Sequence, residues 1–267
     1  MTRLRLPSWA TGIIGSLVIV ALWWLSAVTV FSGVGAGESS AIPTPPQVIS
    51  QWAIDGWTFY QRNFGVTLRE AAQGFLWGNA LALVLAAVVL VVPRTEGLIT
   101  QLATITYCIP IVAIGPLVLI IAGAPSSGDP SGTAVFLAAL SCFFTTVVGT
   151  LLGLRAADRA ALDVVTVYGG TKLTQLRKVR LIAALPSILT ALQIAVPAAF
   201  LGAILGEYFG KVDLGIGPAM INAQQSLNAE RVWGIALASG AVAIAGFAFF
   251  GLLGRLVTPW SRGRSAS

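Results

Sequence analysis

The sequence has no histidine and only two cysteines among its 267 residues. The absence of histidine excludes His-based acid–base catalysis and every metal site that needs an imidazole ligand. Cys108 and Cys142 cannot build a disulfide framework, and both lie in apolar runs, where we expect packing residues. Paired acids, a Ser/His/Asp set and a Cys/His pair are also missing, so no catalytic residue of a hydrolase and no metal site is visible.

Charged residues are scarce as well, at 10% of the chain, whereas soluble proteins average about 25%. Hydrophobic residues make up 56%, and the mean hydropathy is +0.86. A chain this apolar cannot cover its surface with polar groups, which excludes an ordinary water-soluble fold. The 29 glycines and 8 tryptophans fit membrane helices that pack closely and anchor at the interfaces. The composition therefore predicts an all-α polytopic membrane protein.

Six uncharged runs are long enough to cross the hydrocarbon layer, which takes about 20 residues. They are residues 11–31, 71–92, 97–123, 133–154, 181–206 and 232–254. Arg3 and Arg5 ahead of the first run also fit a signal peptide, but a signal core has only about 7–15 apolar residues. We therefore expect the first run to be retained as a span.

These runs suggest three regions. Residues 1–62 would hold an N-terminal membrane helix and an outer segment. A short amphipathic helix from Gln47 to Tyr60 is expected in that segment, with Val48 and Trp52 toward the membrane. Residues 63–254 would form the core with a long loop at 155–180, and residues 255–267 a basic tail.

Six spans place both termini on one side of the membrane, and the basic residues indicate which side that is. That side carries three acidic residues, Glu96, Asp158 and Asp163, against 12 of the 16 basic ones. The basic residues are Arg3, Arg5, Arg94, Arg155, Arg159, Lys172, Arg177, Lys178, Arg180, Arg255, Arg262 and Arg264. The excess predicts cytoplasmic termini. The aromatic interleaving of a nucleic-acid surface is missing, so no nucleic-acid partner is expected.

The loop at 155–180 has the pattern of two short helices joined at a glycine pair. Asp158 can cap a first helix that runs to about Tyr168, and Gly169 and Gly170 would end it. Thr171 can cap a second helix with apolar residues on one face, namely Leu173, Leu176 and Val179. Such an elbow could act as a rigid lever on a cytoplasmic partner. The alternative is a solvated loop whose charges only fix the topology.

No energy source is visible in the chain itself. Residues 206–211 read GEYFGK, which is one residue short of a phosphate-binding loop and lacks its Ser or Thr. Ionisable groups in the spans are nearly absent, and Glu207, at the end of the fifth run, is the only plausible one, which argues against proton-coupled transport. We expect Glu207 to pair with Arg69 or to reach interfacial water, with a structural role more than a role in ligand choice.

The loop resembles the coupling loop of ABC importer permeases, whose pattern is Glu-Ala-Ala, three residues, Gly, nine residues and Ile-x-Leu-Pro. Here Asp163-Val164-Val165 stands for the first triplet and Gly169 for the glycine. The end of the pattern is Val179-x-Leu181-Ile182, and a second Leu-Pro follows as Leu185-Pro186. The spacing is kept throughout.

Other segments are similar to the nitrate, sulfonate, taurine and bicarbonate branch of these permeases. They are Ile42 to Val48, Thr67 to Phe75, Ile109 to Leu117, and Gly206-Glu207-Tyr208 with Gly215-Ile216-Gly217. The resemblance covers about Ile42 to Gly254. It implies a type I ABC importer permease fold, with one N-terminal helix added to a five-helix core, in the inner membrane of a prokaryote.

The resemblance also implies partners and a function. Two permeases, identical or paralogous, would form the pathway for a small anion such as a sulfonate, nitrate or carboxylate, or for a pyrimidine-type nutrient. Two ABC ATPase subunits and a periplasmic or lipid-anchored binding protein would complete the importer, and the chain itself would need no cofactor. The expected ATPase contacts are Asp163, Val164, Val165, Tyr168, Gly169, Gly170, Thr171, Leu173 and Leu176. The alternatives are an ATP-independent channel or secondary carrier, and a membrane scaffold.

Small residues and prolines inside the spans form a second set of candidates. Glycines four residues apart open flat stripes for helix packing, or line the pathway or a permease dimer interface. Prolines remove helix hydrogen bonds and permit bends. The set comprises Gly74, Gly78, Pro110, Pro116, Pro186, Gly202, Gly206, Glu207 and Gly210.

The topology can be tested with cysteines introduced one at a time. Because the basic residues predict cytoplasmic termini, cysteines at Ser40, Ser127 and Asn228 should react with an impermeant thiol reagent in intact cells. Cysteines at Thr171 and Ser265 should not react. Labelling of position 171 from outside would overturn the predicted orientation.

Overall fold

The computed structural model describes residues 7–35, 40–126 and 129–264, which are helical and contain no β-strand. The α-helices are α1 Ser8–Val28, α2 Pro45–Val91, α3 Glu96–Cys108, α4 Ile111–Ala122, α5 Gly132–Arg155, α6 Arg159–Val167, α7 Lys172–Gln175, α8 Leu181–Phe209, α9 Ile216–Gln225 and α10 Ala229–Val257. Short 3₁₀ helices lie at Pro93–Thr95 and Pro259–Arg264, and a π-helical turn at Leu176–Arg180 joins α7 to α8.

Five stretches are long and apolar enough to cross a membrane: Ala10–Val28, Pro45–Val91, Gly132–Arg155, Lys172–Phe209 and Ala229–Val257. The pair α3 and α4 makes a sixth if its two halves count as one broken span. The prediction of an all-α protein with six membrane segments is therefore confirmed.

The third apolar run, which contains Pro110 and Pro116, forms two helices with a sharp bend between them. The axis turns by 94° between α3 and α4. Ile109 is extended, with φ −71° and ψ 126°, and Pro110 starts α4. Proline has no N–H to donate and disfavours helical backbone at the residue before it, so the chain breaks here. Pro116 and Pro186, by contrast, lie inside α4 and α8 without ending either helix.

The chain divides into two compact units, the first formed by the described residues up to Arg62 and Ala219–Ser239. In this unit Gly56, at φ +72°, interrupts α2 and separates a short first helix from the long span. Val48 in the short helix is fully buried, and the Trp52 indole donates to the Gly234 carbonyl at 3.0 Å. The expectation that Val48 faces the membrane was wrong, because the unit packs around this side chain.

The second unit comprises Asn63–Pro218 and the described residues from Gly240 onward. Its centre is α5, and the glycines predicted on α2 and α8 lie against it. A Cβ on Gly74 would come within 2.3 Å of Ala138 Cβ, and one on Gly78 within 2.4 Å of the Ala139 carbonyl oxygen. The α2 stripe therefore packs on α5 in the same chain.

The α8 stripe contacts the same helix. A Cβ on Gly202 would lie 2.6 Å from the Leu137 carbonyl oxygen, and one on Gly206 would lie 2.3 Å from Ala134 Cα. Gly210 meets Ser131 Oγ, the N-cap of α5, at 2.7 Å from its ideal Cβ. Both stripes thus serve contacts within the chain, and Pro110 alone of the predicted prolines marks a sharp break.

These contacts predict which glycine in α2 tolerates a methyl group. Gly74→Ala should lower the free energy of unfolding by about 1–3 kcal/mol, since the new Cβ meets backbone atoms that cannot move away. Gly65→Ala in the same helix is the matched control, because no atom lies within 4 Å of its ideal Cβ. Thermal melting of the purified proteins compares the two variants, and equal melting temperatures would contradict the packing described.

Candidate functional site

The elbow, defined as residues 155–180 between α5 and α8, begins as its sequence predicts. Asp158 caps α6, its carboxylate accepting a hydrogen bond from the Ala160 N–H at 3.1 Å. The helix ends at Tyr168, where Gly169 takes the left-handed conformation with φ +75°. The Gly169 N–H donates to the Thr166 carbonyl at 2.9 Å and the Gly170 N–H to the Val165 carbonyl at 2.8 Å. This is the Schellman arrangement that glycine favours at a helix end.

The second arm of the elbow is continuous with a membrane span. Thr171 caps α7, with Oγ1 accepting from the Thr174 N–H at 3.4 Å, and α7 leads through the π turn into α8. Gln175 ties the two arms together: its Nε2 donates to the Leu162 carbonyl at 3.1 Å and to Thr166 Oγ1 at 2.7 Å. The elbow is therefore a braced turn built onto the end of a span.

The elbow exposes an apolar face, although apolar side chains normally avoid water. Tyr168 is 87% exposed and Val167 is 83% exposed. Val164 and Leu173 are more than half exposed. Four apolar side chains on one small projection are typical of a protein interface.

The remaining predicted contact residues differ in their accessibility. Asp163, Thr171 and Gly169 are exposed, while Leu176 is half-buried. Val165 is also half-buried, because its Cγ1 lies under Gly170, 2.4 Å from where a Cβ would be. Val165 therefore supports the turn from inside. Val167, which the sequence analysis did not predict as a contact residue, is exposed instead.

One ion pair and several exposed basic side chains surround the apolar face of the elbow. Arg155 at the end of α5 pairs with Glu96 at the start of α3. Lys172, Arg177 and Lys178 are exposed on the second arm. The base of the elbow thus contacts the start of α3, and the tip offers apolar side chains flanked by positive charge.

A cleft of about 390 Å³ opens beside the bend between α3 and α4. Its lining is uncharged: Thr106, Tyr107, Cys108, Ile109, Pro110, Ile111, Leu140, Ser141, Ala198, Leu201 and Leu205. Tyr107 stacks on Phe144 with the ring centroids 4.5 Å apart. Cys108 is exposed, whereas Cys142 is buried. The cleft can thus offer polar contacts from hydroxyl groups and apolar contacts from an aromatic ring.

Glu207 lies in neither of the environments expected for it. The residue is 1% exposed, which excludes interfacial water, and Arg69 is exposed and makes no ion pair with it. Its Oε1 accepts from Thr67 Oγ1 at 2.5 Å, and its Oε2 accepts from the Gly217 N–H at 2.6 Å. The carboxylate thus binds α2 and the first turn of α9.

The sequence reasoning missed the residues of α2 that complete this cluster. Asn63, Thr67 and Glu70 follow at spacings of four and three, which places them on one helix face. Asn63 Oδ1 accepts from the Gly215 N–H at 3.2 Å, and Glu70 Oε1 accepts from the Ser131 N–H at 2.6 Å. That polar spacing at the start of an apolar helix was the signal that could have identified them.

Comparison with known proteins also indicates a membrane transport protein. The family model described as "Binding-protein-dependent transport system inner membrane component" matches residues 78–263. The "Putative aliphatic sulfonates transport permease protein SsuC" of Bacillus subtilis is 26% identical over 257 residues, covering 95% of this chain and 84% of the relative.

Two further relatives are named for other substrates. The formylaminopyrimidine transport permease protein ThiX of Halalkalibacterium halodurans is 24% identical over 246 residues, covering 92% of this chain and 94% of the relative. The riboflavin transport system permease protein RibX of Chloroflexus aurantiacus is 27% identical over 255 residues, covering 94% and 90%. The chain therefore belongs to the family of binding-protein-dependent transport system inner membrane components, as the multi-pass permease subunit of an ABC importer and not as an enzyme.

Proposed function

We propose that this permease couples to its ATPase partners through the apolar face of the elbow, formed by Val164, Val167, Tyr168 and Leu173. The exposure of that face, on a turn continuous with α8, carries the proposal. Membership of the family implies ATPase and substrate-binding protein partners. The full importer would contain two permeases, identical or paralogous, and two ATPase subunits, one for each elbow.

Coupling would follow from the stiffness of the elbow. The Gln175 hydrogen bonds keep the two arms from opening, and α7 continues into α8 without a loop. A movement of the tip would therefore tilt the span, as rigid elements do when domains close around a nucleotide. The substrate-loaded binding protein would bind the opposite face and favour the outward-open state, so that access alternates between outside and inside.

In the proposed importer, the elbow and both termini would lie in the cytoplasm. The support is electrostatic, because the elbow carries Lys172, Arg177 and Lys178 on its surface. An ATP-independent channel or secondary carrier has no use for a braced apolar projection on that side.

The cargo is proposed to be an organic solute. The cleft beside the α3–α4 bend would lie on the pathway, and no Lys or Arg lines it. A small inorganic anion such as nitrate would lose its hydration there without gaining an opposite charge. An aromatic or aliphatic body could instead contact Tyr107 and Leu201, with hydrogen bonds to Ser141 or Thr106. The relatives named for formylaminopyrimidine and riboflavin support this class, and the relative named for aliphatic sulfonates shares only the organic body, because a sulfonate is an anion.

Docking through the apolar face predicts the effect of a charge at its most exposed position. Tyr168→Asp should weaken ATPase association at least about tenfold, since a buried aromatic contact is commonly worth 2 kcal/mol or more. The amount of inserted permease should not change, because insertion depends on the spans and their flanking charges. Copurification of the ATPase and binding-protein-stimulated ATP hydrolysis measure the effect.

Tyr168→Phe is the matched control, since it keeps the ring and should keep association near wild type. Val167→Asp provides an independent second position on the same face. Normal association and normal stimulated hydrolysis in both charged variants would show that the elbow is only a connector.

The exposed native thiol in the cleft allows a direct test of the pathway. Alkylation of Cys108 with a bulky maleimide should block transport, and saturating cargo should slow the reaction, because both occupy the same space. Cys108→Ser should transport normally and resist the reagent. The buried Cys142 should contribute little to labelling. Full transport after complete alkylation of Cys108 would remove this cleft from the pathway.

A further inference from the structure

Two acidic side chains lie together in the interior of the second unit. Glu70 is 0% exposed and Glu207 is 1% exposed, and the two carboxyl groups are close enough to interact electrostatically. The ion pairs among the described residues join Arg155 to Glu96 and Arg231 to Asp55, so neither buried acid has a basic partner. Two adjacent carboxylates in such a place would repel each other and lack the solvation that stabilises charge.

The hydrogen bonds distinguish the two acids. Both oxygens of Glu207 are acceptors, one for Thr67 Oγ1 and the other for the Gly217 N–H. Gly217 is in the first turn of α9, whose free N–H groups favour a negative charge. Thr67 Oγ1 accepts from the Ile216 N–H at 3.0 Å and has one proton for two acceptors, Glu207 Oε1 at 2.5 Å and the Asn63 carbonyl at 3.2 Å. The much shorter distance assigns that proton to Glu207. Glu207 is therefore surrounded as an anion.

Glu70 is surrounded differently. Its Oε1 accepts from the Ser131 N–H at 2.6 Å, but its Oε2 is fully buried and no donor of the described residues reaches it. A buried carboxylate oxygen without a donor is costly, whereas a protonated oxygen can itself donate. The neighbouring group that could accept such a hydrogen bond is the Glu207 carboxylate.

We propose that Glu70 and Glu207 form a resident proton-binding site, in which Glu70 is the neutral acid and donates from Oε2 to the Glu207 anion. Every polar atom of the pair then has a partner, and the cluster carries one negative charge instead of two. The remaining charge is stabilised by the Thr67 hydroxyl and the start of α9. Arg69, Lys211 and Asp213, the charged residues nearest in sequence, are exposed.

The bound proton would have a positioning role. The hydrogen bonds of the pair join α2, the start of α5, the end of α8 and the start of α9. Gly215 and Gly217 pass so close to Glu207 that a Cβ on either would lie within 2.7 Å of its side chain. The shared proton lets four elements meet at one point without a basic residue. It stays bound through the cycle and is not transported.

Substitution of each acid by its amide tests whether the proton lies on Glu70, on Glu207 or on neither. In Glu70→Gln the amide oxygen can accept from Ser131 and the NH₂ group can donate to Glu207, so the variant should fold and melt as wild type does. In Glu207→Gln one of two acceptors becomes a donor, facing either the Thr67 hydroxyl or the Gly217 N–H. Its melting temperature should fall by at least about 2–4 °C, the shift expected for one lost buried hydrogen bond.

Infrared spectroscopy of the full-length protein in detergent reports the proton directly. A protonated-carboxyl C=O band, shifted by deuterium, should be present in wild type and absent in Glu70→Gln. It should persist in Asp213→Asn, which removes an exposed carboxylate nearby in the sequence. A band retained in Glu70→Gln would overturn the proposal, as would failure of that variant to fold. A tolerated Glu207→Gln with a destabilised Glu70→Gln would place the proton on the other acid, and equal stabilisation by both would show two carboxylates.

Discussion

The structure of the second unit depends on how closely helices can approach α5. Lipid tails are as apolar as leucine side chains, so burial alone does not drive spans together, and close backbone contact has to supply the attraction. Gly74 and Gly78 from α2, and Gly202 and Gly206 from α8, remove the side chains that would keep these helices away from it. α5 contributes Gly149 in return, whose ideal Cβ would lie 2.5 Å from Ala191 Cβ. Close packing between helix backbones thus stabilises the core more than the burial of apolar area does.

Close approach also determines where polar groups can be placed. Small residues near the end of α8 bring Glu207 against α2, where Thr67 and Glu70 point into the same space. No water or lipid headgroup can solvate a carboxyl group there, so its partners must come from the protein itself. The glycines at 215 and 217 let the backbone of α9 supply one of them. Tight packing and the polar cluster are therefore two consequences of the same contacts.

The sequence could predict what local physics decides. Hydrophobic length is a local property, so the membrane segments were placed correctly. The elbow was equally predictable, because Asp158, Gly169 and Thr171 act on residues within one turn of themselves. Contacts between distant segments were not predictable in this way. Val165 was expected on the free face and lies beneath Gly170, and Val48 was expected at the membrane and is buried. Glu207 was expected near Arg69, because nothing local shows that Thr67 and Glu70 face it.

The bend at Pro110 shows how a local sequence feature determines a contact between distant segments. α3 and α4 both contact α5, and the cleft lies beside the 94° turn between them, with side chains of α5 and α8 in its lining. The cleft is uncharged, and the buried carboxyl groups of Glu70 and Glu207 lie apart from it, near the start of α5 and the end of α8. In the proposed pathway, an uncharged lining would give little discrimination among organic solutes, so selectivity would depend on the binding protein. In the proposed mechanism, the tightly packed core would move as one body, and the elbow would move with it.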